Sequence, residues 1–227
     1  MPSRRKTLLV VDPSVNRPEG EAVAWIAGAW GGPVRVCRPA LEPGSAPPPG
    51  DPHEVGAVVV MGSAASVHDD RSWLAALGAW LAPIVRGEVE VPLLGICFGH
   101  QLLAHLAGGE VRPLRADRSK VLGVSRTRFE PCRLHPGGEM PVVVSHREVV
   151  TRVPEGFRVV ARRREVPVDA IEHQDRPLFG VQFHPEAGPE FAEHVGIDPA
   201  RLRPDVVAPA RGVLMAFLSL AAEEERA

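Results

Sequence analysis

Apolar positions in this chain follow two rhythms. Short continuous runs, often β-branched, occupy residues 6–12 (KTLLVVD), 33–39 (PVRVCRP), 56–63 (GAVVVMGS) and 91–97 (VPLLGIC). Runs of this length, apolar on consecutive residues, predict strands buried on both faces. Between them the apolar residues recur at helical spacing. Val23, Ile26, Ala27 and Trp30 mark a helix over 21–30, and Leu74, Leu77, Leu81 and Ile84 mark one over 71–85, for which Asp70 or Ser72 is the expected N-cap. A further helix opens directly after residue 97 with GHQLLAHLA. The segment 40–52 (ALEPGSAPPPGDP) is too rich in Pro and Gly to be anything but a loop joining two strands.

The second half of the chain changes character. VLGVSRTRF, MPVVVSH, FRVVARR, VDAIEH and LFGVQFHP are successive short strands separated by turn residues, and the amphipathic ARGVLMAFLSLAAEEE closes the chain. Strand–helix alternation followed by consecutive strands predicts an α/β fold: a mainly parallel central sheet flanked by helices, with a mixed or antiparallel extension. Nothing in the pattern marks an internal repeat or a domain linker, so residues 1–227 are expected to form a single domain.

Composition narrows the function classes. Of 227 residues 44% are hydrophobic and 24% charged, with a formal net charge of −2, so no global basic field favours nucleic acid or an anionic membrane. The triplets Arg4-Arg5-Lys6 and Arg162-Arg163-Arg164 read as solvated surface. Three cysteines, with no CxxC pair, disfavour a disulfide framework and favour a reducing compartment. The amino-terminal apolar run ends at Asp12, too short for a signal peptide or membrane span, and a cytoplasmic location is expected.

Within this frame Cys97 has an unusual setting. Gly95-Ile96-Cys97-Phe98-Gly99 has the form G-x-nucleophile-x-G, in which a strand turns sharply into a helix and lifts the nucleophile above the sheet edge. The helix N-terminus that follows favours a thiolate. A thiolate attacking an acyl group needs a base, and the base needs an orienting partner. Of nine histidines, His100 points wrongly for its own neighbour, and His53, His68, His135, His173 and His194 lie in polar or turn-rich contexts typical of solvated side chains. His184 stands apart: it closes the apolar run LFGVQF, Pro185 fixes the exit, and Glu186 can turn back to hold one imidazole nitrogen.

GICFGHQ together with GVQFHPE resembles the class I (triad) glutamine amidotransferases, whose fold is flavodoxin-like, over nearly the whole chain. The resemblance implies Cys97 as nucleophile, His184 as general base and then acid, and Glu186 as its orienting carboxylate. VVVMGSAASVHDD falls where the family carries a G-G-P-x-S oxyanion loop. Gly62 would line the substrate, and the N–H groups of Ser63 and Phe98 would hold the oxyanion, worth about 3 kcal/mol per donor in comparable sites. Ser63 and Ala64 replace the usual second glycine and proline there, and a positive φ at Ser63 would strain the loop. VVVSHREVV resembles the SH-x-D element, with Glu148 for the aspartate. It implies that backbone groups of Ser145, His146 and Arg147 read the α-amino and carboxylate groups of glutamine, with a side-chain contact from Gln101.

The chemistry so implied is hydrolysis of the glutamine side-chain amide through a γ-glutamyl thioester, releasing ammonia. The substrate is L-glutamine, and the chain after residue 186 is too short for a synthetase domain, so a separate synthetase subunit is the expected ammonia acceptor. The ending HQDRPLFGVQFHPE resembles the stand-alone GMP-synthase-like glutaminase branch. No cofactor and no metal is expected: Cys132 and His135 have C-x-x-H spacing but no second pair at a matching distance. Nucleic-acid and membrane partners are not expected. Two other readings stay open, a hydrolase of γ-glutamyl peptides or conjugates using the same triad, and a weakly active glutamine- or partner-binding module whose support is the altered oxyanion loop.

Overall fold

The computed structural model describes residues 6–42, 45 and 52–224. Arg4, Arg5 and most of the Pro-rich loop over 40–52 lie outside the described residues. The first half alternates as expected: β1 (Thr7–Val11), α1 (Gly20–Trp30), β2 (Val34–Cys37), β3 (Val55–Val60), α2 (Ser72–Arg86), β4 (Leu93–Ile96) and α3 (Phe98–Leu106). The second half runs β5 (Glu110–Pro113), β6 (Val121–Phe129), β7 (Gly138–His146), β8 (Glu148–Arg152), β9 (Phe157–Arg163), β10 (Val166–His173), β11 (Leu178–Val181), α4 (Pro189–Val195) and α5 (Pro204–Glu224).

Among the described residues nine strands form one sheet, in the order β2-β1-β3-β4-β11-β10-β9-β6-β7. The pairs from β2 to β11 are parallel, and those beyond β11 are antiparallel. Alternate residues of the parallel strands feed opposite layers, as the two-residue strand period requires. Leu8, Val10, Val59, Ile96 and Val181 pack beneath Ile26 and Trp30 of α1 and Leu214 and Phe217 of α5. Leu9, Val11, Val58 and Val60 pack against Leu77 and Leu81 of α2 and Leu102 of α3. Helix α5 is long and apolar enough in composition to cross a membrane. Its apolar stripe of Val213, Leu214, Phe217 and Leu218 is consumed by this core.

Several expectations need correction. Neither Asp70 nor Ser72 caps α2: Arg71 holds the N-cap position with no side-chain cap bond, and Asp69 instead accepts from the Ser66 N–H. The strand expected to reach Pro185 stops at Val181, so His184 stands three residues beyond it. Strands β5 and β8, which pair antiparallel in a small second sheet, and the short helix α4 lack a clear apolar period and were not expected from the sequence. Helices α1 and α4 meet N-terminus to N-terminus and cap each other. Glu21 accepts from the Glu190 N–H at 2.7 Å, and the Glu190 carboxylate accepts from the Glu21 N–H.

The fold leaves one sheet edge free for chemistry. Strands β3, β4 and β11 are adjacent, parallel and in register, with Val60 opposite Gly95 and Gly95 opposite Gly180. Their carboxyl ends deliver Gly62, Cys97 and His184 to the same edge, where open parallel sheets hold their ligands. The antiparallel extension then returns over this edge: the His184 N–H donates to the Val143 carbonyl of β7 at 2.9 Å.

Candidate active site

Cys97 links β4 to α3 with φ 52° and ψ −100°, a conformation that an L side chain adopts only when its surroundings impose it. The surroundings are two backbone contacts. A Cβ at Gly95 would stand 2.3 Å from the Gly99 carbonyl oxygen, and one at Gly99 would stand 2.1 Å from that of Val60. Only glycine at both places lets α3 descend this close to the sheet. The Cys97 N–H is anchored to the Val181 carbonyl at 2.8 Å, and its carbonyl starts α3 by accepting from Gln101 N–H at 3.0 Å.

His184 lies across the elbow. Its Nδ1 is 2.8 Å from Glu186 Oε1, both side chains are buried, and the ring packs on Phe191 with centroids 4.3 Å apart. Nε2 has no hydrogen bond of ordinary geometry, yet the Cys97 sulfur is near enough to act on the ring. Burial disfavours charge on this imidazole, but the Glu186 carboxylate and the Cys97 sulfur outweigh it and push His184 up to about 10. The arrangement is that of an imidazole held between a carboxylate and a sulfur. Gly62 admits it: a Cβ there would meet His184 Cε1 at 2.8 Å and Cys97 Cβ at 3.7 Å.

The remaining residues expected at the site also gather here. A cleft of about 350 Å³ is lined by Gly62, Ser63, Cys97, Gln101, Ser145, His146, Arg147, His184 and Glu186. Phe98 is fully buried at the first position of α3, directly after the sulfur. Ser63 lies outside the positive-φ region, so the anticipated strain is absent. Its hydroxyl is committed to the loop, donating to the Pro13 carbonyl at 2.7 Å and accepting from Ala65 N–H at 3.1 Å. Glu148, which replaces an aspartate of the SH-x-D pattern, accepts from Ser66 Oγ at 2.8 Å and ties the same loop to β8. Asp12, at the end of β1, accepts from the N–H groups of Ser14 and Glu19 and shapes the opposite wall.

Two residues expected to contact the substrate also hold protein groups. The Gln101 amide nitrogen is already engaged, donating to the Glu148 carbonyl at 2.7 Å and to Gln182 Oε1 at 3.1 Å. His146 is neutral, since burial and the neighbouring Arg163 hold it down to about 3. Its Nε2 accepts from Arg163, which is itself paired with the buried Asp169 at 2.8 Å. The Ser145 carbonyl is the group of this strand beside the sulfur, 3.8 Å from Sγ.

Other functional candidates were not expected from the sequence. Gln182 is fully buried and donates to Cys97 Sγ at 3.5 Å. It stands inside GVQFHPE, and its burial was the missing signal. Half-buried Lys120 lines the cleft beside Arg118 and Arg147; burial and Arg147 lower its proton affinity while Cys97 raises it. His194, taken as solvated, instead pairs with Glu19 at 3.1 Å on the far wall. His173 is buried too, accepting from the N–H groups of Asp175 and Arg176. His100 is buried behind the elbow, where a Cβ on Gly180 would meet its Nδ1 at 2.4 Å. Among the described residues no group of three His, Cys, Asp or Glu side chains converges as a metal site. Cys132 and His135 face each other only through a backbone bridge.

Comparison with known proteins bears on the family and the fold. The family model "Glutamine amidotransferase class-I" matches residues 74–197, which include the elbow and the His184–Glu186 pair. A Streptococcus pyogenes (serotype M5) GMP synthase [glutamine-hydrolyzing] is 41% identical over 102 residues, 44% of this chain and 20% of that protein. The chain therefore spans only a minor part of the length of such relatives. Two solved structures share the fold. A glutamine amidotransferase from Thermotoga maritima superposes with a TM-score of 0.76 at 19% identity, covering 97% of this chain and 99% of the other. One from Methylobacillus flagellatus gives 0.76 at 19%, covering 97% and 95%.

Proposed function

The chain belongs to the class-I glutamine amidotransferase family, and from that premise we propose that it hydrolyses the side-chain amide of L-glutamine with Cys97, His184 and Glu186. The observation that carries this reading is the position of His184, between the Glu186 carboxylate at 2.8 Å and the Cys97 sulfur at the elbow. The Cys97 thiolate attacks the amide carbon, and the carbonyl electron pair moves onto oxygen, where the N–H groups of Ser63 and Phe98 receive it. Collapse expels ammonia with the proton of His184 Nε2 and leaves a γ-glutamyl thioester. Water gives a proton back to His184, adds to the thioester carbon and releases glutamate, restoring the thiolate–imidazolium pair. Glu186 holds the ring in one tautomer throughout and balances its charge.

Backbone groups of Ser145, His146 and Arg147, with Gly62, form the substrate wall in this reading. Gln101 acts through the protein groups it holds. Lys120 and Arg147 give the mouth a positive charge that suits an α-carboxylate. The ammonia passes to an acceptor on a separate synthetase subunit, in the manner of the GMP-synthase-like relatives, within the cytoplasm. Residues 1–227 act as one domain, and the steps need no cofactor. A second reading has one observation in its favour: the cleft continues past the triad to Asn16, Arg17 and His194, leaving room for the departing part of a γ-glutamyl conjugate.

Ammonia release from L-glutamine, compared between the wild type and Cys97→Ala, tests the proposal. Turnover that disappears with the sulfur supports it. Cys97-dependent cleavage of γ-glutamyl peptides without glutamine turnover moves the assignment to the second reading, and neither activity, with or without a partner synthetase, overturns both.

A further inference from the structure

A line of side-chain amides runs from the backbone of β8 to the sulfur. Gln101 Nε2 donates to the Glu148 carbonyl at 2.7 Å and to Gln182 Oε1 at 3.1 Å, and Gln182 Nε2 donates to Cys97 Sγ at 3.5 Å. Both glutamines are buried, and Gln182 is inaccessible to solvent. An amide has a donor end and an acceptor end that can exchange by a half turn, so its orientation is set by its partners. Here the starting partner has no freedom. A backbone carbonyl only accepts, so Gln101 must present its NH₂ group to Glu148. The second N–H of that group then meets Gln182, which must answer with its oxygen. The remaining end of Gln182, its NH₂, is thereby turned to the sulfur.

We propose that Gln182 is a catalytic residue that holds Cys97 as a thiolate by donating an N–H to Sγ, and that Gln101 is the positioning residue that fixes the direction of this donor. The proposal rests on the assignment of Cys97 as nucleophile and goes beyond the triad. A hydrogen bond to the charged form favours that form, and in a buried site the donor has no water to compete with it. The opposing contact sharpens the effect. The Ser145 carbonyl, 3.8 Å from Sγ, can only accept a hydrogen bond from the thiol and repels the thiolate. Gln182 and Ser145 thus press the same sulfur toward opposite protonation states, and His184 is the group that exchanges the proton with it. Gln182 is also placed to persist through the reaction: its own N–H is bound to the Asp169 carbonyl at 2.8 Å, one residue past the end of β11.

The test reads sulfur reactivity and not turnover, so it stands even if glutamine proves not to be the substrate. Alkylation of Cys97 by iodoacetamide is followed against pH in the whole chain, with peptide mapping to separate it from Cys37 and Cys132. Gln182→Met keeps the volume and removes the donor; Cys97 alkylation at pH 6 should slow about tenfold, with the profile displaced to higher pH. Gln182→Glu places a carboxylate against the sulfur and should displace it further. Gln101→Met frees Gln182 to turn and should move the profile the same way by less, which also covers the case in which the Gln182 variants fail to fold. Profiles in Gln182→Met and Gln101→Met that superpose on the wild type overturn the proposal, whatever happens to kcat.

Discussion

The His184 imidazole lies against the bare Cα of Gly62, so close that a Cβ there would stand 2.8 Å from Cε1. Gly62 has no positive φ, so its role is spatial. The ring cannot retreat, because Glu186 and Phe191 hold its other sides. Gly62→Ala should therefore lower kcat on the preferred substrate by roughly 100-fold through ring displacement. It should cost only about 1–3 kcal/mol of stability. Steady-state kinetics and denaturant unfolding of the same sample separate the two effects.

Gly99 faces backbone where Gly62 faces a side chain. Its Cβ would fall 2.1 Å from the Val60 carbonyl oxygen, and no rotamer change can relieve that. Gly99→Ala should separate α3 from the sheet and remove more than about 4 kcal/mol, among the largest losses a single substitution produces. Soluble yield and urea midpoint are the measurements, and a midpoint near that of the wild type would show that the elbow is looser than described.

Acid should destabilise the chain through two histidines. Burial holds His100 and, together with Arg163, His146 down to about 3. Unfolding frees each to take up a proton below its ordinary value of about 6.5. Between those limits the unfolded chain binds more protons, so stability falls as pH falls, by about 1.4 kcal/mol per pH unit for each histidine once well below 6.5. His184 has the opposite sign. Its raised affinity contributes stability that is complete below about 6.5 and is lost as pH rises through about 10, so it does not offset the acid slope. Urea titrations at successive pH values between 4 and 6 should show the slope, and His100→Leu should reduce it.

Lys120 and Arg147 at the cleft mouth should act on binding more than on chemistry. Lys120→Ala should raise KM roughly tenfold while kcat stays within about a factor of three, since a charge-assisted hydrogen bond to the α-carboxylate is lost while the triad keeps its own contacts. An equal fall in kcat would instead place Lys120 at the reacting atoms.

Much of this was legible in the chain. The strands from Thr7 to Ile96 announce themselves because parallel strands buried on both faces leave continuous apolar runs, and Cys97, His184 and Glu186 sit in motifs whose glycines and proline have steric causes. What escaped was set by distant contacts. The Ser145 carbonyl reaches the sulfur only because β7, at the far edge of the sheet order, folds back to accept from the His184 N–H. Gln182 looks like one more strand residue until its burial is known, and His194 looks solvated until α4 brings it to Glu19. Helix α4, seven residues long, is too short to show a period and is held by the exchanged glutamates of residues 21 and 190.

At Cys97 the backbone is bent into a shape that the residue itself resists, and the rest of the molecule carries that load. A backbone of this kind costs about 1–3 kcal/mol, so the native chain is less durable than its packing allows. Cys97→Gly should relax it and melt at a higher temperature than Cys97→Ala, which keeps a Cβ. An inert chain sturdier than the working one would mean that resilience was given up at this one position for the sake of presenting a sulfur atom.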